Sequence, residues 1–63
     1  MIVRHNMLVL TPEEYKKASP LLFDSKGMHQ PYILGITTWW CGPFEVTFSN
    51  EADMNVVKEL VTS

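Results

Sequence analysis

Hydrophobic side chains gather along this chain of 63 residues in segments whose spacing changes from strand-like to helix-like and back. From Ile2 to Leu10 the run IVRHNMLVL is rich in β-branched and aliphatic residues and predicts a first strand. Its second half is apolar on both faces, which suits a strand in the middle of a sheet rather than at an edge. The run ends at Thr11-Pro12-Glu13-Glu14, a strong helix-start signal. Thr11 can accept from the third helical N–H, Pro12 has the φ of a first helical residue, and Glu14 can reach back to the Thr11 amide. The acidic pair also complements the positive end of the helix dipole. A short helix should follow from Pro12 to Ala18 or Ser19, because the residue before Pro20 is pushed out of the α region. Tyr15 and Ala18 are the candidates for its buried side.

From Pro20 to Pro31 the pattern is that of a connection with an apolar anchor: Leu21, Leu22 and Phe23 tuck against the core, and Asp24-Ser25-Lys26-Gly27 turns the chain. Tyr32–Trp40 and Phe44–Ser49 then read as a hairpin around Gly42-Pro43. Ser49-Asn50 can cap a second helix whose first turn carries Glu51 and Asp53, and whose Met54, Val57, Leu60 and Val61 form one apolar stripe. The order strand-helix-strand-strand-helix predicts a single α+β domain over residues 1–63, a small two-layer sandwich with a three-stranded sheet and two helices on one face.

Composition sharpens this picture. Hydrophobic residues make up 46% of the chain and charged residues 19%, enough apolar surface for a folded core. The length is near the lower limit for a core without disulfides or metal, so pairing with a copy or a partner is a natural source of added stability. A net charge of -2 with scattered cations gives no basic footprint and argues against nucleic acid as partner. The single cysteine, Cys41, excludes an internal disulfide and points to a reducing compartment. The longest apolar run, Met7–Leu10, is too short for a membrane span. Cytoplasm, of a cell or of an infected host, is the expected location.

Candidate chemistry is sparse. The letters WCGP at Trp40-Cys41-Gly42-Pro43 resemble the opening of the thioredoxin active-site motif, but Phe44 stands where the second cysteine belongs. A dithiol–disulfide cycle within the motif is therefore impossible. Cys41 as a lone nucleophile would need His5 or His29 beside it in space, with no third member to assign. A metal site from His5, His29 and Cys41 lacks the paired spacing of zinc ligands. The acidic residues at both helix starts are explained by capping and the dipole. The expectation is no catalytic group, no cofactor and no metal.

The hairpin offers more, because adjacent strand residues point to opposite faces. Phe44, Val46 and Phe48 form the inner face of the last strand, with Glu45 and Thr47 opposite. A three-residue loop would pair Trp40 with Phe44 and place Leu34, Ile36 and Thr38 inward, leaving Ile33, Thr37 and Trp39 outside with Thr47. A two-residue loop would exchange the faces. In either register one tryptophan anchors the core and the other lies on the far face, either as an interface anchor or beneath a covering loop. The leading expectation is a non-enzymatic protein-binding module, an inhibitor or accessory factor of the size phages carry. It would bind another protein or itself through Trp39, Ile33, Thr37, Thr47 and Trp40. A thiol-dependent enzyme using Cys41, and a single-strand nucleic-acid binder stacking bases on its aromatics, are the alternatives.

Overall fold

The computed structural model describes residues 1–40 and 42–63. Four strands and two helices follow one another as β1 (Ile2–Arg4), β2 (Met7–Leu10), α1 (Pro12–Leu22), β3 (Ile33–Thr38), β4 (Phe44–Phe48) and α2 (Glu51–Thr62). The sheet is antiparallel throughout, in the order β1-β2-β4-β3. The α+β architecture agrees with the sequence pattern, but the sheet has four strands instead of three.

The difference lies at His5-Asn6. Arg4 pairs with Met7 and Ile2 with Val9, so the first apolar run folds back on itself as a hairpin with a two-residue connection. Asn6 takes φ 56°, in the left-handed region, a conformation that asparagine tolerates better than most side-chain-bearing residues. Only the second half of the run is central, as its apolar character on both faces suggests: β2 lies between β1 and β4.

Helix α1 begins as the capping box dictates. Thr11 Oγ1 accepts from the Glu14 amide at 3.2 Å, and Glu14 Oε1 accepts from the Thr11 amide at 2.9 Å. The Met1 ammonium lies 3.1 Å from the same Glu14 oxygen. The Thr11 amide, chiefly, and this ammonium hold the Glu14 carboxyl below its usual range. A depressed folded-state pKa means that its stabilising effect is present above the unfolded carboxylate range and is lost as pH falls through the folded value. Thr11→Ala is expected to lower stability by about 1 kcal/mol, read as a shift in the urea midpoint at unchanged slope.

Contrary to the sequence expectation, α1 does not stop before Pro20 but continues to Leu22. Proline has no N–H to give the Lys16 carbonyl. The Ser19 hydroxyl donates to that oxygen instead, at 2.9 Å, one residue earlier. The extra turn carries Leu22 into full burial beside Ala18. Burying a leucine is worth roughly 1.5–3 kcal/mol, comparable to the helix-interior cost of proline. The turn after α1 is the one expected. Asp24 Oδ1 accepts from the Lys26 and Met28 amides at 2.9 and 3.0 Å, and Gly27 supplies a φ of 81°.

Both helices cover one face of the sheet. The core joins Leu8, Leu10, Ile33, Val46 and Phe48 from the strands with Ala18 and Leu22 from α1 and Met54, Val57 and Val61 from α2. The α2 stripe read from the sequence is thus buried, with Leu60 half-buried at its margin. Its N-cap is Asn50, whose Oδ1 accepts from the Asp53 amide at 2.9 Å. Tyr15 stacks on Phe44 with ring centroids 4.0 Å apart, at the start of β4. Tyr32 donates its hydroxyl to the Leu21 carbonyl oxygen, and burial together with the charge of Asp53 pushes its pKa up. Among the described residues no helix is long and apolar enough to cross a membrane.

Candidate functional site: the hairpin tip and the uncovered sheet face

Strand register fixes which residues share the far face. Pairing of β1 with β2, β2 with β4 and β4 with β3 sets Ile2, Val9, Glu45 and Thr37 in one cross-strand row. The neighbouring row is Arg4, Met7, Thr47 and Gly35. Both rows face away from the layer that holds the helices, since Leu8 and Val46, which alternate with them, lie in the core. Val9 is only 7% exposed although it lies outside the main core cluster. Its cross-strand neighbours Ile2 and Glu45 flank it on this face.

The β3–β4 ladder closes earlier than the sequence suggests. Thr38 pairs with Phe44, Thr37 with Glu45 and Ile36 with Val46, so the connection spans residues 39–43. This register differs by two positions from the expected one, and a shift of two preserves the faces: Ile36 and Thr38 still lie on the side of Phe44 and Val46. The expectation fails at the start of β3. An irregularity between Ile33 and Gly35 exchanges the sides, so Ile33 is buried at 7% exposure and Leu34 is 67% exposed. Ile33 therefore belongs to the core and not to the outer face.

The longer connection also overturns the expectation that one tryptophan anchors the core. Trp39 is 58% exposed and Trp40 99% exposed. Trp40, placed inward by the sequence reading, has left the ladder before its side chain could enter the core. Trp39 leans over the outer face, where its indole Nε1 donates to Glu45 Oε1 at 3.1 Å. Gly42 donates its amide to the Trp39 carbonyl oxygen at 3.3 Å, and a Cβ at Gly42 would sit 3.0 Å from the Trp39 Cβ. Glycine is thus what lets the chain reverse this closely against Trp39.

Of the residues singled out from the sequence, Trp39, Thr37 and Thr47 meet on the outer face and Trp40 stands at the tip. Ile33 is separated from them by the sheet. Glu45, Ile2, Met7 and Val9 also belong to this face; alternation along the last strand places Glu45 there without singling it out, and the other three escape the sequence reading. The signal for three of them was the polar pair His5-Asn6, which breaks the first apolar run where a turn could form.

The other candidate groups are scattered. His5 lies in the β1–β2 turn, and His29 bridges Phe23 with its ring 5.5 Å from the phenyl ring. Cys41, the candidate nucleophile, lies outside the described residues. Among the described residues no group of three or more His, Cys, Asp or Glu gathers at metal-binding distances. Comparison with protein-family models, curated proteins and solved structures finds no match for this chain.

Proposed function

We propose that the chain is a small protein-binding module that engages another protein through the hairpin tip and the sheet face opposite the helices. The observation that carries this reading is the placement of both tryptophans outside the core, one at the tip and one against the outer face. Tryptophan is the side chain with most to gain from burial, and it is common among the anchors that dominate interface energetics. Here the hydrogen bond to Glu45 holds the Trp39 indole and reduces the rotamer freedom that a partner would have to remove. Trp40 offers its whole ring. Thr37 and Thr47 supply the short polar surround on the same face.

The chemistry of the patch favours a protein over a nucleic acid. Glu45 sets a carboxylate beside the aromatic platform, where a phosphate backbone would be repelled and a cation or N–H donor accepted. An inhibitor or accessory factor is the role that such a surface on so small a domain suits.

Replacement of Trp40 is the most direct test, because its side chain is in open solvent and its loss removes no core packing. Trp40→Ala should leave the circular dichroism spectrum and the unfolding midpoint unchanged. It should weaken partner binding by at least about tenfold, the effect of a typical interface anchor. Immobilised wild-type and variant chains exposed in parallel to native cytosol provide the comparison. Recovery of the same proteins in the same amounts on both would remove the tip from the interface.

A further inference from the structure

The main-chain groups of β3 carry an inference that the aromatic patch does not. Phe48 donates its N–H to the Asn6 carbonyl oxygen at 2.7 Å, toward β2, and Ser49 donates to that of Tyr32 at 2.8 Å, toward β3. Successive residues of a strand turn these groups to opposite sides. The amides of Thr47 and Glu45 therefore point to β3, and those of Val46 and Phe44 to β2. Thr37, opposite Glu45, uses its main-chain groups on β4. Ile36 and Thr38, opposite Val46 and Phe44, turn theirs to the free edge of the sheet. Among the described residues no turn, loop or cap bond occupies them.

An open strand edge is a template for another strand, and proteins commonly blunt such edges with charge, proline or shortness. The other edge is blunted in two of these ways, since β1 has three residues and ends in Arg4. In contrast β3 has six, ILGITT, with neither charge nor proline, and the irregularity that could blunt it is confined to its start, between Ile33 and Gly35.

We propose that β3 pairs with β3 of a second copy, antiparallel about a two-fold axis through Thr37, joining the two sheets into one. The register follows from the outward groups. Hydrogen bonding requires Ile36 and Thr38 to face outward residues of the other copy. The axis at Thr37 pairs Ile36 with Thr38 and Thr38 with Ile36, each pair exchanging both bonds. An axis at Ile36 or at Thr38 keeps one such pair and sends the other residue against the irregular start or the departing end of the strand. The chosen axis leaves that irregularity, between Ile33 and Gly35, outside the bonded stretch.

The side chains agree with this register. Thr37 meets its own copy on the outer face with no charge opposed to a like charge. The strand direction sets Trp39 opposite Gly35 of the second copy; its indole stays turned to Glu45 of its own chain, and Gly35 presents no side chain to clash with it. This pairing goes beyond the tip reading and shares with it Thr37 and its neighbour Trp39 on the outer face.

Sedimentation analysis of the purified chain, from about 10 μM to about 1 mM, tests the proposal. The wild type should shift from monomer to dimer within that range, and the Ile36 and Thr38 amides should gain protection from hydrogen exchange as it does. Thr38→Pro replaces an outward N–H and leaves the β4 ladder intact; it should weaken dimerisation at least about tenfold, with the monomer fold unchanged. Thr37→Lys and Thr37→Glu oppose like charges across the axis, so each alone should dimerise more weakly than the wild type, while their equimolar mixture forms the heterodimer. A wild type that stays monomeric to the top of the range overturns the proposal. So does a folded Thr38→Pro chain that dimerises normally, or, if that variant does not fold, a lysine–glutamate mixture no more dimeric than its components. Loss of foreign partners by Trp40→Ala with any of these results would leave the tip reading standing without the edge pairing.

Discussion

Phe48→Ala is expected to unfold the chain at room temperature. Phe48 is the largest of the fully buried side chains, and it lies at the end of β4 where the core from both helices meets the sheet. Tyr32 stacks beside it with ring centroids 6.4 Å apart and planes 5° from parallel, and Ile33 is its cross-strand partner. Truncation of a buried phenylalanine costs roughly 3–5 kcal/mol, from lost transfer energy and from the cavity left behind. A single core in a domain this small rarely supplies more than about 3–5 kcal/mol in total. The loss thus equals the whole margin. Far-ultraviolet circular dichroism and amide proton dispersion should both collapse toward those of an unfolded chain. A variant that keeps native dispersion and unfolds cooperatively near the wild-type midpoint would show that the core is not centred on this ring.

Pro20→Ala should act in the opposite direction. Pro20 is exposed, so its removal loses no buried packing, and alanine restores the N–H that the Lys16 carbonyl lacks. The intrinsic difference between proline and alanine inside a helix is about 3 kcal/mol. Two effects reduce it here. The unfolded chain regains freedom worth about 0.4–1 kcal/mol, and the Ser19 hydroxyl already serves the orphaned carbonyl. A net gain of about 1–2 kcal/mol remains. For a domain of this size each kcal/mol raises the thermal midpoint by about 4–8 °C. Calorimetry on the two chains would decide the point; an unchanged or lowered midpoint would mean that proline's fixed φ is worth more in this last turn than the missing bond.

The same residue shows where sequence reasoning ends. Thr11-Pro12-Glu13-Glu14 and Asn50 were legible because a capping arrangement is local: the residues that make it are within three positions of one another. The burial of Met54, Val57 and Val61 was legible from spacing alone. Pro20 was not. Local preference ends the helix there, and only the core position taken by Leu22, visible once the sheet is in place, explains why the chain continues. The β1–β2 hairpin was missed for a different reason. Nine residues of mostly aliphatic character read as one strand, and the reversal at His5-Asn6 rests on a single residue accepting a left-handed conformation.

The candidate site divides along the same line. Alternation along β4 was readable and placed Glu45 and Thr47 opposite Phe44, Val46 and Phe48. The tryptophans depend on where the ladder closes, and the segment TTWWCGPF permits several closures. The choice that places Thr38 against Phe44 removes both tryptophans from the core. Likewise the irregularity that sends Ile33 inward and Leu34 outward is signalled in the letters ILG only by Gly35, since a lone glycine in a strand marks a bulge without saying which neighbour turns inward. The core decides it: Ile33 packs beside the buried Phe48, and Leu34 is left in solvent.

The strand order β1-β2-β4-β3 also sorts the pairings of the sheet by their separation along the chain. Each hairpin closes across a short connection, an event on the order of microseconds. The seam between them joins Leu8 to Val46, with α1, the turn at Gly27 and all of β3 between. The non-local chain-entropy cost of this sheet is therefore concentrated in the β2–β4 pairing. The segment from Leu22 to Tyr32 is its tether. Lengthening that tether slows the search but leaves the seam itself alone, because doubling a loop costs only about 0.6 kcal/mol.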